Sequence, residues 1–174
     1  YGRSEVTLNS DVDLMLLHRP RVPLKDEVAS GIWYPIWDSG ISLDHSVRTI
    51  DQARSVAAQD LKAMTGLLDI RHIGGNESMT AELRSAIHSD WRKSSKKYLP
   101  KLRELVSERR SRSGDLFQLL EPDIKESYGG LRDVSVLRAL AATWQFEVMQ
   151  DRWLKSSQFL LDLRDLMHIQ SRGD

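Results

Sequence analysis

The stretch Ser10-Asp11-Val12-Asp13-Leu14-Met15-Leu16-Leu17 sets two carboxylates two residues apart at the head of an apolar run. In a β-strand side chains repeat every second residue, so Asp11 and Asp13 share one face at one strand end, roughly 6–7 Å apart. A hard divalent cation such as Mg²⁺ takes one or two carboxylates and leaves its other positions to water and substrate phosphate. The same spacing also describes a strand whose two aspartates are merely solvated at its mouth. The pattern therefore fixes a strand and offers a metal site.

The 174 residues suffice for a small α/β domain with a helical companion. Lys plus Arg and Asp plus Glu are 25 each, so no global basic field points to nucleic acid, and any anionic ligand has to be gripped locally. The absence of cysteine removes disulfides, thiolate metal sites and cysteine nucleophiles, and fits a reducing cytoplasm. No apolar run approaches the roughly 20 residues of a membrane span. The chain starts without Met and inside a motif, and it reads as an excerpt of something longer.

Periodicity predicts a short strand over residues 5–8, the carboxylate strand over 11–17, and a loop around Pro20. A helix follows from residue 24 to a stop at Gly40, with Pro35 expected to kink or break it. Residues 41–49 read as the next strand. Thr49-Ile50-Asp51-Gln52 has the form of a capping box opening a helix that runs to about Gly66. Leu67-Leu68-Asp69-Ile70-Arg71-His72-Ile73 reads as a short apolar strand ended by Gly74-Gly75. A carboxylate inside a buried strand requires a partner. For Asp69 that partner is Arg71 on the same face, or a cation shared with Asp11 and Asp13. From about residue 77 the chain is helical, with Pro100 expected to divide residues 78–112. The basic runs Arg92-Lys93-Ser94-Ser95-Lys96-Lys97 and Arg109-Arg110-Ser111-Arg112 read as solvated helix faces or as phosphate or RNA contacts.

The second informative stretch runs from Leu120-Glu121-Pro122-Asp123-Ile124-Lys125 through Glu126-Ser127-Tyr128 to Gly129-Gly130-Leu131-Arg132-Asp133. Pro122 and the glycine pair make a stiff turn and then a loop opening on a helix from Leu131. The first amides of such a helix favour an anion, and Lys125 and Arg132 add charge suited to a triphosphate. Asp133 complements the helix dipole. Glu121 and Asp123 have the choice of binding a cation or orienting Lys125.

These segments carry a family resemblance. Tyr1-Gly2-Arg3-Ser4-Glu5, then Asn9-Ser10-Asp11-Val12-Asp13-Leu14, resembles the G-Y-G-R-G-E-L…S-D-hydrophobic-D-L signature of the PII-type uridylyltransferases, a branch of the DNA polymerase β-like nucleotidyltransferase superfamily. His45-Ser46-Val47-Arg48-Thr49 matches the family's H-S-V-R-T, with Asp44 where a glycine is usual. The Leu67–Gly75 stretch resembles the L-L-D-x-R-x-x-x-G element, and residues 120–133 resemble its L-E-P-D-[IL]-K-x-x-x-G-G-L-R-D block. The family's Gly-Gly pair ahead of Tyr1 lies outside the chain.

The resemblance implies an α+β fold. It comprises a nucleotidyltransferase core over residues 1–76, with a short mixed sheet carrying Asp11, Asp13 and Asp69, and an all-helical part over 77–174. It further implies a cytoplasmic, Mg²⁺-dependent enzyme, with Mn²⁺ as a substitute. Such an enzyme moves UMP from UTP to a tyrosine of a PII nitrogen-regulatory protein and releases pyrophosphate, with neither nucleic acid nor membrane as partner. Asp11, Asp13 and Asp69 are the implied catalytic and metal-binding residues. Gly2, Arg3, Ser10, Arg48, Lys125, Gly129, Gly130 and Arg132 are the implied nucleotide contacts. The alternatives are adenylylation of PII with ATP, adenylyl transfer to glutamine synthetase, and a truncated, non-catalytic interaction module of the same fold.

Overall fold

The computed structural model describes residues 11–21, 26–146 and 150–170, the side chains of 150–152 excepted. Within it the chain divides into two compact units, Tyr1–Ile87 and His88–Asp174, and the division falls inside a helix.

In the first unit, β1 (Val12–Leu17) and β2 (Leu43–Arg48) pair in parallel, joined by helix α1 (Asp26–Asp38). A parallel pair needs a crossover of this kind, because no tight turn can return the chain in the same direction. Among the described residues the sheet is thus two-stranded and parallel rather than mixed. The strand expected over 5–8 lies outside the described residues. Pro35 sits inside α1 without ending it. The lost backbone bond costs about 3 kcal/mol, and the helix is held by packing instead: Trp33 is 5 % exposed and lies against His45 of β2.

The capping box forms as the sequence predicts: the Thr49 amide donates to Gln52 Oε1 at 2.8 Å and the Gln52 amide to Thr49 Oγ1 at 3.2 Å. The helix it opens is, however, two helices, α2 (Ile50–Gln59) and α3 (Leu61–Leu68). Asp60 closes the first in an extended conformation and caps the second, its Oδ1 accepting from the Lys62 and Ala63 amides at 2.7 and 3.4 Å. Ala53, Ala57 and Met64 from this pair are buried.

The strand expected over 67–73 does not form. Leu67 and Leu68 complete α3, and Asp69 is its C-terminal cap with φ −101° and ψ 20°. A short apolar run of this length fits a strand or the buried turn of a helix equally well. The non-helical segment after it is tied to α4 (Glu77–Lys93) by the Arg84 guanidinium, which donates to the Ile70 carbonyl at 2.7 and 3.2 Å, and by a 3.1 Å contact of His72 with Thr80.

The second unit is helical, from the end of α4 through α5 (Ser95–Ser113) and α6 (Leu131–Ala141) to α7 (Gln150–Gln170). The break between α4 and α5 falls at Ser94, not at Pro100, which α5 carries in its interior. Trp91 explains the position of the bend: fully buried, it stacks on Tyr98 at 5.3 Å and donates its indole N–H to the Ala139 carbonyl at 2.8 Å. Burial raises the Tyr98 phenol above its ordinary pKa, with Asp90 adding to the effect. None of the helices among the described residues is long and apolar enough to cross a membrane.

Candidate functional site

Register assembles the first candidate site. Val12 pairs with Leu43, Asp13 with Asp44 and Leu17 with Arg48. Partners in a parallel pair point to the same side, so one face carries Val12, Leu14 and Leu16 with Leu43, His45 and Val47, and the other Asp13, Met15 and Leu17 with Asp44, Ser46 and Arg48. Helix α1 covers the first of these, with the His45 ring 5.0 Å from Trp33 and 5.1 Å from Trp37. His45 thus lies against both indoles while staying exposed.

The opposite face carries Asp11, which immediately precedes β1, then Asp13 and Asp44, all three exposed. Arg48 lies on the same face four residues beyond Asp44, about 13 Å along the strand. Asp44 is the residue whose role the sequence leaves open. Its position is decided by a pairing between segments 31 residues apart, with only the alternation of β2 visible in advance. Like charges directly opposite one another destabilise a sheet unless something neutralises them. The donor set suits a hard cation, since one or two carboxylates suffice when substrate phosphate completes the coordination. Among the described residues no three His, Asp or Glu side chains are gathered closely enough to hold a metal by themselves. Asp69 is half-buried at a helix end rather than on a strand beside β1. Gly2, Arg3 and Ser10 lie outside the described residues.

The second candidate site, residues 120–133, is bonded chiefly to itself and to α5. Asp123 Oδ1 accepts from the Lys125 and Glu126 amides at 2.8 and 2.9 Å. Arg109, 8 % exposed, reaches from α5 to donate to the Glu126 carbonyl at 2.8 Å and forms an ion pair with Asp133. Asp133 also accepts from the Gly129 amide at 2.6 Å. Gly129 has φ +94°, and a Cβ on Gly130 would stand 2.4 Å from the Ile124 carbonyl oxygen, so both glycines are required by the backbone path.

This bonding corrects one expectation. The amides at the start of α6 are already engaged, Leu131 with the Ile124 carbonyl at 2.9 Å, Arg132 with Lys125 at 3.1 Å and Asp133 with Gly130 at 3.0 Å. They do not form an open anion cradle here. Arg132 pairs with Glu126 at 2.9 Å, whereas the Lys125 side chain is exposed. Arg109 is the residue that the sequence does not single out for this role, having been read only as part of a basic run. Nearby, Arg110 holds Asp115 at 2.7 Å and stacks 4.2 Å over Tyr128, and its hydrogen bond keeps the Asp115 carboxyl below the ordinary range.

Comparison with known proteins bears on both segments. The family model described as GlnD PII-uridylyltransferase matches residues 99–171. A bifunctional uridylyltransferase/uridylyl-removing enzyme of Streptomyces coelicolor is 50 % identical over 170 residues, covering 97 % of this chain and 20 % of that protein. Proteins of the same description from Mycobacterium tuberculosis and Corynebacterium glutamicum are 42 % and 36 % identical, over 80 % and 98 % of this chain and 18 % and 24 % of their own lengths. The chain thus spans about a fifth of the curated relatives it matches. No solved structure matches it.

Proposed function

The chain belongs to the bacterial PII-uridylyltransferase/uridylyl-removing family, and from that premise we propose that it is the part that transfers UMP from UTP to a tyrosine hydroxyl of a PII protein. The observation that carries this reading is the register of Asp13 against Asp44, which puts three carboxylates with Asp11 on one exposed sheet face. The resemblance implies a carboxylate set of this kind with Asp69 as its third member; here the third role is assigned to Asp44, which shares a face with Asp13.

Asp11 and Asp13 would hold Mg²⁺. The ion, when bound, neutralises triphosphate charge and favours the ionised form of an incoming hydroxyl. Asp44 takes up the tyrosine proton at its carboxylate as the phenolic oxygen bonds to the α-phosphorus. The bond from that phosphorus to the bridging oxygen breaks, and pyrophosphate leaves. Arg48, farther along the same face, suits the outer phosphates. Most of the acceleration in such a site comes from in-line positioning and charge stabilisation.

Calorimetry of Mg²⁺-dependent UTP and ATP binding tests the reading on this chain and on an Asp11→Asn, Asp13→Asn double variant. Metal-dependent UTP affinity is expected to fall at least about 100-fold, or roughly 2.7 kcal/mol. In a UMP-transfer assay with PII protein as acceptor, Asp44→Asn is expected to cost more activity than Asp69→Asn, because Asp44 meets the tyrosine proton rather than the nucleotide. Equal affinity of wild type and double variant would sink the proposal, a larger loss at Asp69 would return the third role to that residue, and tighter ATP binding would change the donor.

A further inference from the structure

Between Asp44 and Arg48 one side chain of β2 shares their face, Ser46, which the register sets opposite Met15. The two strands differ along this face. β1 turns apolar after Asp13, with Met15 and Leu17, whereas β2 stays polar throughout, with Asp44, Ser46 and Arg48. Consecutive members of that row stand roughly 6–7 Å apart along the strand. Ser46 and Arg48 are half-buried, unlike the exposed Asp13 and Asp44.

None of these four polar side chains has a hydrogen bond or ion pair to another described residue. For an exposed aspartate that state costs little, because water solvates it. For a half-buried guanidinium it costs more, since part of the hydration is removed with no anion in exchange. The Ser46 hydroxyl is in the same condition, half-buried with its donor unused. In the 120–133 block, by contrast, the charged groups of Arg132, Asp123 and Asp133 all have partners. The row on β2 is thus ordered as acid, neutral donor and base, and its two donors are the half-buried members.

A polyanion carrying a cation at one end matches that order. On the reading of the chain as a metal-dependent UMP transferase, on which this inference rests, the α-phosphate sits with the cation at Asp11 and Asp13. The outer phosphates then have one path of donors across the face, along β2, because Met15 and Leu17 offer none on β1. We infer that Ser46 is a further binding residue for the triphosphate: it donates to the middle phosphate while Arg48 takes the terminal one, and the two keep hold of pyrophosphate after the α-phosphorus changes partner. The triphosphate thereby runs from the amino towards the carboxyl ends of the strands, and the leaving group departs on the side of Arg48. The reverse course would set an uncharged base against the guanidinium and leave the outer phosphates without a donor on this face.

Calorimetry in the presence of Mg²⁺ tests this on the full chain with UTP, inorganic pyrophosphate and UMP, and a thermal melt accompanies each variant. Ser46→Ala is expected to weaken UTP and pyrophosphate by the same factor, roughly tenfold, the size of one hydrogen bond to a charged group, and to leave UMP affinity unchanged. Ser46→Thr keeps the hydroxyl and is expected to retain most of the pyrophosphate affinity, whereas Arg48→Gln removes a full charge and is expected to lose more than Ser46→Ala. Equal loss of UMP and pyrophosphate affinity in Ser46→Ala would overturn the inference, as would a Ser46→Thr variant as weak as Ser46→Ala, since either result makes the residue structural. A wild-type chain that binds neither UTP nor pyrophosphate would overturn the transferase reading together with the inference. A wild type that binds both, with Ser46→Ala indistinguishable from it, overturns the inference alone.

Discussion

The carboxylate face of the first unit and the 120–133 block of the second are equally conspicuous in the sequence and are built in opposite ways. On the sheet, Asp13 stands opposite Asp44 with Asp11 just before the strand, all three exposed. In the block, the aspartates Asp123 and Asp133 are consumed locally, one by the amides of Lys125 and Glu126, the other by Arg109 and the Gly129 amide. The block answers to a backbone path that accepts few residues, whereas the sheet face, on the reading proposed above, answers to chemistry that needs an external partner.

The largest effect that separates these is expected from Arg109→Met. Removing the guanidinium leaves Asp133 as a partly buried, uncompensated charge and strips a donor from the Glu126 carbonyl. A loss of about 3–5 kcal/mol follows, read from denaturant unfolding. Adding Asp133→Leu is expected to restore part of it, because the penalty lies in the orphaned charge. If Arg109→Met instead left stability intact and abolished UTP binding, the block would belong with the sheet face as chemistry.

Lys125→Ala sharpens the contrast from the other side. Its side chain is exposed while its amide does the structural work, so stability is expected to stay within about 0.5 kcal/mol. UTP affinity changing by more than tenfold would show that the block reaches the triphosphate in spite of its engaged amides.

The smallest effect concerns Asp115. Its carboxyl is held below the ordinary value first by the hydrogen bond from Arg110, so the native state binds this proton less readily than the unfolded chain. The stabilisation is present above the usual carboxylate range and is lost as pH falls through the lowered value. Thermal melts of wild type and Asp115→Asn are thus expected to differ slightly at neutral pH and to converge in acid. Convergence in the opposite direction would remove Arg110 as the cause.

Much of this was legible where the cause is local. The capping box at Thr49 and Gln52 was predicted because its partners are three residues apart. Both strands announced themselves, β1 by its apolar run and β2 by imperfect alternation. The prolines misled because a local rule was weighed without packing: Pro35 sits in a helix secured by the buried Trp33, and the bend near Pro100 was set instead by the seating of Trp91. Asp60 was missed although an aspartate two or three residues ahead of free amides is a recognisable cap. Asp69 drew a strand from an apolar run too short to have a period. What no reading along the chain supplies is the opposition of Asp13 to Asp44, or of Arg109 to Asp133, since each is fixed by contacts between distant segments.

The Arg109 contacts also have a consequence in time. The guanidinium joins residues 24 positions apart, and the amides from Gly129 to Asp133 depend on the same closed loop. Closing such a loop has an entropic cost that is recovered only once the contacts form together. Local fraying gives no route to opening it bond by bond. Loosening of residues 124–133 is then a cooperative event, and the amides from Gly129 to Asp133 are expected to exchange more slowly than those of the exposed stretch around Phe117 and Leu120.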